Sequence, residues 1–472
     1  MMLSTRRASS PKATRSAAGP AEVLAIVCAG VVLASLDLFI VNVALPSIAR
    51  DLGAGLSELS WVLNGYAIVY AALLVFFGRL ADRYRRDRAF LLGVAVFTAA
   101  SAACAVSTSV GMLIAFRLVQ AAGAALLTPT SLGLVLASYP PGRRQGAVRA
   151  WTAVGGLAAA TGPVAGGLLV AASWRWVFLV NVPIGIAALA IGWRRLPAVP
   201  GHDTERPDPL GVVLVTAGVG LLTLGLVKGP DWGWGSARSD SVLAAAVVLV
   251  GLFGLHCRYS RTPLVHPELF RSRQLTGASV IVIFFSAAFG AMLLSIVLWE
   301  QGGWGWSALR AGLAITPGPL MVPVTSFLVA GRLIRRYGPP PVITLGNLAF
   351  GAGVAWWALA MTASPDYVSG MLGGMLLTGV GVGLTLPTLM GAAAASLPPH
   401  AFATGSAVIN MIRQAGLALG VAVLVAVLST GAAHATPPLA TFQHGWWMTA
   451  AISFAGIIPV LLLRPRRPAG RA

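Results

Sequence analysis

The chain of 472 residues is too apolar to be a soluble protein. Hydrophobic residues make up 57% of it, charged residues make up 10%, and the mean hydropathy is +0.81. A soluble domain carries about 25% charged residues, so most of this chain lacks a surface that water would solvate. The composition excludes a globular enzyme with a single membrane anchor.

Fourteen apolar runs follow one another along the chain, each long enough to cross a membrane as a helix. Eight lie near residues 21–48, 58–78, 89–107, 111–137, 147–171, 175–193, 210–228 and 241–257. Six more lie near residues 275–299, 309–331, 341–362, 367–394, 404–429 and 444–463. The first run has no cleavage motif, which indicates a retained span rather than a signal peptide. The predicted fold class is an all-α polytopic membrane protein with 14 transmembrane helices.

The basic residues alternate with the predicted spans. Of the 33, 26 fall in the N-terminus, the even-numbered loops and the tail, five fall on the opposite side, and Arg117 and Arg413 lie inside spans. Because Lys and Arg concentrate in cytoplasmic loops, both termini are predicted to be cytoplasmic in a multi-pass protein of the cell (inner or plasma) membrane. Topology accounts for the net charge of +19, so membrane lipids are expected as partners and nucleic acid is not.

Three pairs of segments indicate an internal repeat. Gly78–Tyr84 is echoed by Gly331–Tyr337 at an offset of 253, Leu127–Thr130 by Leu384–Thr388 near 258, and Gly146 by Gly405 at 259. A shared offset in sequence order predicts two homologous halves, a plan that is complete as a monomer. The predicted divisions are a tail (1–20), a six-helix bundle (21–193), an inserted helix pair with linkers (194–274), a second six-helix bundle (275–463) and a tail (464–472).

Several segments together resemble one transporter family. They are Leu36–Pro46, Gly78–Arg83, Arg117–Gln120, Gly162–Gly167, Trp174–Pro183, Ser307–Leu313 and Ile412–Gly416. With them the chain resembles the major facilitator superfamily, and most closely its fourteen-span drug:proton antiporter family. The resemblance implies two six-helix bundles plus two inserted helices, alternating access around a midplane site, and a proton gradient as energy source without a cofactor. The implied function is efflux of amphipathic drugs, antibiotics or related small molecules, with antibiotic resistance as its consequence.

Asp37 is the acidic residue that lies well inside a predicted span. A carboxylate at membrane depth costs about 2.5 to 3.5 kcal/mol, so it is kept only if paired, wetted or protonated. We predict a proton-coupling site; a purely structural ion pair is the alternative. Arg117 is the natural partner because guanidinium keeps its proton, unless it snorkels to a helix end. Gln120 lies one turn along the same helix face and can hydrogen-bond either group.

Two further motifs concern conformational change. Gly162, Pro163, Gly166 and Gly167 combine a break in the hydrogen-bond ladder with a smooth glycine face, which is simple helix packing or, as the resemblance implies, an antiporter motif that marks exporters. The resemblance also implies a cytoplasmic gate between the halves. Its predicted residues are Gly78, Asp82, Arg83 and Arg86, and solvated loop charges are the alternative.

The residues predicted to line the substrate cavity are polar or aromatic side chains within spans. They are Asn42, Asn64, Tyr66, Gln120, Asn410 and Arg413. Arg413 binds an anionic substrate group or, alternatively, a helix end. Glu300 closes the ninth span and is interpreted as a loop acid at the membrane interface, with a second proton carrier as the alternative.

Three function classes follow from these features. The favoured one is a proton-coupled exporter, and the alternative is a proton-coupled uptake symporter for a small nutrient. A membrane-embedded enzyme is not expected, because the sequence lacks His-Glu-x-x-His, Gly-x-Ser-x-Gly and a phosphate-binding Gly-Lys-Ser/Thr loop. Cys28, Cys104 and Cys257 have no metal-ligand spacing, so no metal is expected.

Overall fold

The computed structural model describes residues 19–200, 208–395, 402–429 and 437–463, apart from the side chains of Asp82, Gln145 and a few residues beside the gaps. Within these ranges fourteen helices are long and apolar enough to cross a membrane. The first six are α1 Pro20–Leu52, α2 Leu56–Ala81, α3 Arg86–Ala105, α4 Val110–Ser138, α5 Pro141–Ala172 and α6 Trp176–Arg195. The next two are α7 Pro209–Trp232 and α8 Ala237–Tyr259. The last six are α9 Arg273–Gly303, α10 Ala308–Tyr337, α11 Pro339–Ala360, α12 Tyr367–Ala393, α13 Ala407–Ser429 and α14 Leu439–Leu463.

Local sequence explains where these helices begin and end. Pro20 opens α1 with the backbone angle that a first helical turn requires, and Gly53 ends it in the left-handed conformation at φ +64°. Ser109 caps α4 by accepting a hydrogen bond from the Met112 amide at 3.3 Å. The predicted all-α fold with fourteen spans is confirmed, and the predicted tails lie almost wholly outside the described residues.

The packing of the first six helices repeats in the last six. In the N-terminal bundle α1 packs on α5, α3 on α4 and α6, and α2 on α4. In the C-terminal bundle the equivalent pairs are α9 with α13, α11 with α12 and α14, and α10 with α12. The same neighbours therefore recur with a shift of eight helices, which is the arrangement of two six-helix bundles plus an inserted pair.

Two helix pairs form most of the contact between the bundles, and they are α2 with α13 and α5 with α10. The two pairs are equivalent, because the shift of eight helices relates α2 to α10 and α5 to α13. The inserted α7 lies against both α2 and α13, while α8 packs chiefly on α7. The inserted pair therefore covers one seam between the bundles from outside and leaves the other seam, between α5 and α10, without such a cover.

The α5–α10 seam is in contact at one end only. We call the end with the α2–α3 and α4–α5 loops the arginine-rich end and the opposite end the arginine-poor end. At the arginine-poor end Gly312 lies against the Pro163 carbonyl, and Gly167 lies against the backbone of α10. Gly156 shares that face of α5 two turns nearer the arginine-rich end, and no described atom outside its helix lies within 4 Å of its side-chain position. The seam is closed at the arginine-poor end and open beyond it.

Candidate functional site

A buried ion pair lies at the centre of the N-terminal bundle. Asp37 on α1 is 0% exposed and Arg117 on α4 is 1% exposed, and their side chains form a short hydrogen-bonded salt bridge. Gln120 connects the two charges. Its amide nitrogen donates to Asp37 Oδ1 at 2.9 Å, and its oxygen accepts from Arg117 at 2.6 Å. The predicted pairing of these three side chains is what the structure shows.

Two residues of this network were missed by sequence reasoning. Asn181 on α6 donates to Asp37 Oδ1 at 3.3 Å, and Ser101 on α3 accepts from Gln120 at 2.7 Å. Asn181 does carry a signal, because it is a polar residue in an apolar run at the point where the helix of α6 is interrupted, at Val180. Ser101 carries none, because a serine can bond its own helix backbone anywhere in a span.

The charge balance of the Asp37–Arg117 pair depends on whether Asp37 carries a proton. As long as Asp37 is ionised it accepts hydrogen bonds from Arg117, Gln120 and Asn181 and balances the arginine charge. A proton on Asp37 removes that balance, while Arg117 keeps its charge at every accessible pH. A buried charge without a partner is costly, so protonation obliges the Arg117 side chain to find another partner or water.

A cavity between the two bundles opens next to this pair. Its walls come from α1, α2 and α4 on one side and from α9, α12 and α13 on the other, and Arg117 is part of the wall. Asn42, Asn64 and Arg413 line it as predicted. Phe39, Phe285 and Phe289 add aromatic surface, with Phe39 and Phe289 in edge contact at 6.3 Å between ring centres.

Three predicted cavity residues do not line it. Tyr66 is fully buried on the face of α2 that points away from the cavity, and the centre of its ring lies 4.1 Å from the Arg117 guanidinium carbon. The reason is helical geometry, since two residues along a helix turn about 200° and Asn64 already faces the cavity. Gln120 is occupied by the ion pair and is 0% exposed. Asn410 lies on α13 one turn from Arg413 toward the arginine-rich end, outside the lining.

Several polar groups on the cavity wall lack partners among the described residues. Both amide atoms of Asn64 and of Gln414 are buried without a hydrogen bond, and so is Nε of Arg413. No carboxylate in the described chain pairs with Arg413, so the cavity carries one positive charge that nothing balances. Gln414 adjoins Arg413 within the Ile412–Gly416 segment and lines the cavity beside it. Hydrogen-bond donors without partners, next to aromatic rings, are suited to a ligand that offers hydrogen-bond acceptors.

The family model of the Major Facilitator Superfamily matches residues 27–421, and again residues 279–472. The chain belongs to the Major Facilitator Superfamily. It is therefore a multi-pass membrane transporter of small molecules and not an enzyme.

Among its relatives in the superfamily is the cephamycin export protein CmcT of Amycolatopsis lactamdurans, 34% identical over 98% of this chain and 96% of that protein. The tetracenomycin C resistance and export protein of Streptomyces glaucescens is 32% identical over 87% and 76% of the two chains. The puromycin resistance protein of Streptomyces alboniger is 34% identical over 93% and 89%. A peptide transporter crystallised with sulfate shares the fold, with a TM-score of 0.69 at 15% identity over 93% of this chain and 94% of its own.

The glycine-rich motif of α5 lies at the arginine-poor end, where the α5–α10 seam is closed. Gly162 and Gly166 lie against the α1 backbone at Phe39 and Ile40. Pro163 and Gly167 lie on the adjoining face, against α10. The motif is therefore packed on both bundles at once, and each glycine stands where a side chain would separate two helices.

The predicted cytoplasmic gate residues of the superfamily fold lie at the arginine-rich end. Gly78 faces Pro129 of α4, and the Arg86 side chain lies beside Gly133 of the same helix. Arg83 ends the helix that contains α2. The side chain of Asp82 lies outside the described residues, so a latch between the halves stays a prediction.

The interpretation of Glu300 as an interfacial loop acid is wrong. The side chain is 0% exposed, and neither carboxylate oxygen has a hydrogen-bond partner in the described chain. The reason is that α9 does not end at Trp299. It continues through a wider π-helical turn, Trp299–Gly303, which keeps Glu300 inside the helix packing.

Proposed function

We propose that this protein is a proton-coupled antiporter that exports antibiotics or related amphipathic molecules through the cavity between its bundles. The observation that carries the proposal is the buried Asp37–Arg117 pair, one member of which forms part of the cavity wall. The names of three relatives, which describe cephamycin export, tetracenomycin C export and puromycin resistance, support export as the direction. In this proposal the arginine-rich end and both termini face the cytoplasm, the proton gradient supplies the energy without a cofactor, and a monomer in the cell membrane is the working unit.

Coupling follows from competition for the cavity. When Asp37 is ionised it holds Arg117 against α1, and the cavity is free for substrate. When Asp37 takes a proton, Arg117 loses its counter-charge, and Asn64 offers an unpartnered acceptor on the same cavity wall. The arginine side chain then occupies the space that the substrate needs. Proton and substrate binding thus exclude each other, which is the condition for exchange rather than joint transport.

The charge of the cavity narrows the substrate class. Arg413 adds a positive charge without a counter-ion, so the cavity disfavours organic cations and favours neutral or acidic molecules that offer acceptors beside an aromatic surface. Export of a neutral molecule also uses the full membrane potential. One proton moving through 100 mV supplies about 2.3 kcal/mol, which supports roughly a fortyfold gradient. A monocation exchanged one for one would cancel that contribution.

The test is transport by purified protein in liposomes with an imposed pH gradient. A neutral lipophilic dye serves as the probe, with ethidium as the cationic comparison. We compare the wild type, Asp37→Asn and, as a matched control, Asp51→Asn, an acid at the exposed end of the same helix that pairs with Arg175 at 2.8 Å. Gradient-driven transport of the neutral dye is expected in the wild type and in Asp51→Asn, and to fall by about 100-fold or more in Asp37→Asn.

A second measurement separates coupling from folding. Exchange of labelled for unlabelled dye without a pH gradient needs no proton step, so Asp37→Asn is expected to retain it. Loss of this exchange as well would assign Asp37 a structural role, and retained gradient-driven transport would place the coupling elsewhere. Arg413→Gln is expected to raise ethidium transport relative to the neutral dye; an unchanged ratio would contradict the proposed charge selectivity.

A further inference from the structure

Glu300 is a buried acid that the mechanism at Asp37 does not use. Both of its carboxylate oxygens are enclosed without a hydrogen bond among the described residues. Its turn lies in an aromatic cluster, in which Trp304 and Trp306 are 4.7 Å apart between ring centres and Trp306 and Tyr367 are 6.2 Å apart. The indole nitrogens of Trp299 and Trp306 are also buried without acceptors. Neutral indoles can donate a hydrogen bond, but they cannot balance a negative charge.

The charged groups on the surrounding helix ends have other partners or lie at the surface. On α10, Arg310 lies over the Trp306 ring at 4.2 Å. On α1, Arg50 bonds Ser47 and Asp51 pairs with Arg175. At the start of α12, hydrogen bonds from Ser369 lower the pKa of the exposed Asp366, and Tyr367 donates its hydroxyl to the Ala314 carbonyl at 3.0 Å. His444 on α14 is exposed, and α11 and α13 present no acid or base to this region in the described chain.

The position of Glu300 ties its burial to the closed end of the molecule. Its own carbonyl accepts a hydrogen bond from the Trp306 amide at 2.9 Å, just before α10 begins. The adjacent Gln301 donates to the Val43 carbonyl of α1 at 2.9 Å, which joins the two bundles. Within two further turns α10 meets α5 at Gly312. Opening this end of the molecule must separate the contacts that Gln301 and Gly312 make with the N-terminal bundle, and we expect it to admit water to the adjacent carboxyl group.

A carboxylate anion without a counter-ion or donors is not tolerated in a closed apolar site, so the closed conformation requires the neutral acid. Among the described residues no group of three or more His, Cys, Asp or Glu side chains could hold a metal ion, and a proton is a cation that needs no cavity. We propose that Glu300 is a second proton-binding site, which takes up a proton from the arginine-poor side as the α5–α10 seam closes and returns it to that side as the seam opens.

This proton does not cross the membrane, because Glu300 is enclosed while the arginine-rich end is open. Its binding shifts the equilibrium between the open and closed α5–α10 seam and does not supply energy for transport. The proposal for Glu300 is independent of the role of Asp37. Closure binds a proton, so acidic pH favours the closed seam and alkaline pH favours the open one. With one proton per closure, the ratio of open to closed molecules changes by up to tenfold per pH unit.

Pulsed electron paramagnetic resonance on spin-labelled protein in nanodiscs measures this ratio. The labels are placed at Ala172→Cys and Ala363→Cys, two exposed positions on opposite bundles at the arginine-poor end, after Cys28, Cys104 and Cys257 are replaced by alanine. The distance distribution is recorded from about pH 5 to about pH 8, which brackets the titration of a carboxyl group moved between water and a closed site. The four proteins are the wild type, Glu300→Gln, Asp37→Asn and the control Glu58→Gln, an exposed acid at the same end.

The expected result is a shift toward longer distances with rising pH in the wild type, in Asp37→Asn and in Glu58→Gln. Glu300→Gln imitates the neutral acid, so it should show the short distance of the wild type at low pH, which also reports correct folding, and should keep that distance at every pH. A pH-dependent shift that persists in Glu300→Gln would overturn the proposal, as would a wild type without a shift or a shift lost in Asp37→Asn alone.

Discussion

The two six-helix bundles share one packing plan but treat their charged side chains in opposite ways. In the N-terminal bundle Asp37 and Arg117 are buried together, and each satisfies the other. In the C-terminal bundle Arg413 is partly buried and Glu300 is fully buried, yet neither has a charged partner in the described chain. Helix packing depends on shape and therefore survives a repeat, whereas buried charges are free to differ. One half thus holds a charge-balanced pair, and the other holds charged groups without a charged partner in the described chain.

Replacing the two intramembrane arginines one at a time gives the largest contrast between the halves. Arg117→Gln leaves the Asp37 carboxylate buried without its counter-ion, so we expect a loss of about 3 to 5 kcal/mol in stability. Arg413→Gln removes a charge that has no partner, so we expect unchanged or higher stability. Thermal unfolding of the purified proteins in one detergent measures both.

A double variant sharpens this comparison. Adding Asp37→Asn to Arg117→Gln removes the orphaned charge and should restore much of the lost stability. Equal destabilisation by Arg413→Gln and Arg117→Gln would contradict the view that, of these two arginines, Arg117 alone has a charged partner.

Two glycine substitutions test the contrast between the closed and open ends of the α5–α10 seam. Gly312→Leu places a side chain against the Pro163 carbonyl, and overpacking of this kind costs about 1 to 3 kcal/mol in the closed state. The open fraction at the arginine-poor end should rise by about tenfold. Gly156→Leu projects into open space in this state and should obstruct only closure of the arginine-rich end, which favours the conformation described here.

The spin-label pair at Ala172 and Ala363 measures both glycine variants against the wild type. The expected shifts have opposite signs, toward longer distances in Gly312→Leu and toward a narrower short-distance population in Gly156→Leu. Shifts of the same sign would mean that these glycines do not report on opposite ends of one moving seam.

The smallest effect concerns the ring beneath Arg117. Tyr66→Leu removes the cation–π contact at 4.1 Å and should lower stability by about 0.5 to 2 kcal/mol. Tyr66→Phe keeps the ring and deletes a hydroxyl that has no hydrogen-bond partner in the described chain, so it should be neutral or slightly stabilising. Equal losses in both variants, measured by thermal unfolding, would assign the effect to the hydroxyl group rather than to the ring face.

The sequence by itself determined the fourteen spans, the internal repeat and the Asp37–Arg117 pair. The repeat rests on shared sequence offsets, whereas the spans and the ion pair rest on free-energy costs that the membrane imposes on any conformation. A span must be apolar over about 20 residues, and two opposite charges inside spans must meet or remain costly. The glycine and proline residues of α5 likewise predicted a close contact between helices, but they did not indicate which helices would meet there.

The tertiary structure alone decided which side of each helix faces the cavity. Almost every face of these helices is apolar, so hydrophobic periodicity does not distinguish lipid from protein, and Tyr66 and Gln120 were placed on the cavity when they belong behind it. The same limit hid the contributions of Asn181 and Ser101 to the network around Asp37. Glu300 shows the limit most clearly, because an acid at a span end is exposed or enclosed according to one extra helical turn and the neighbours that close over it.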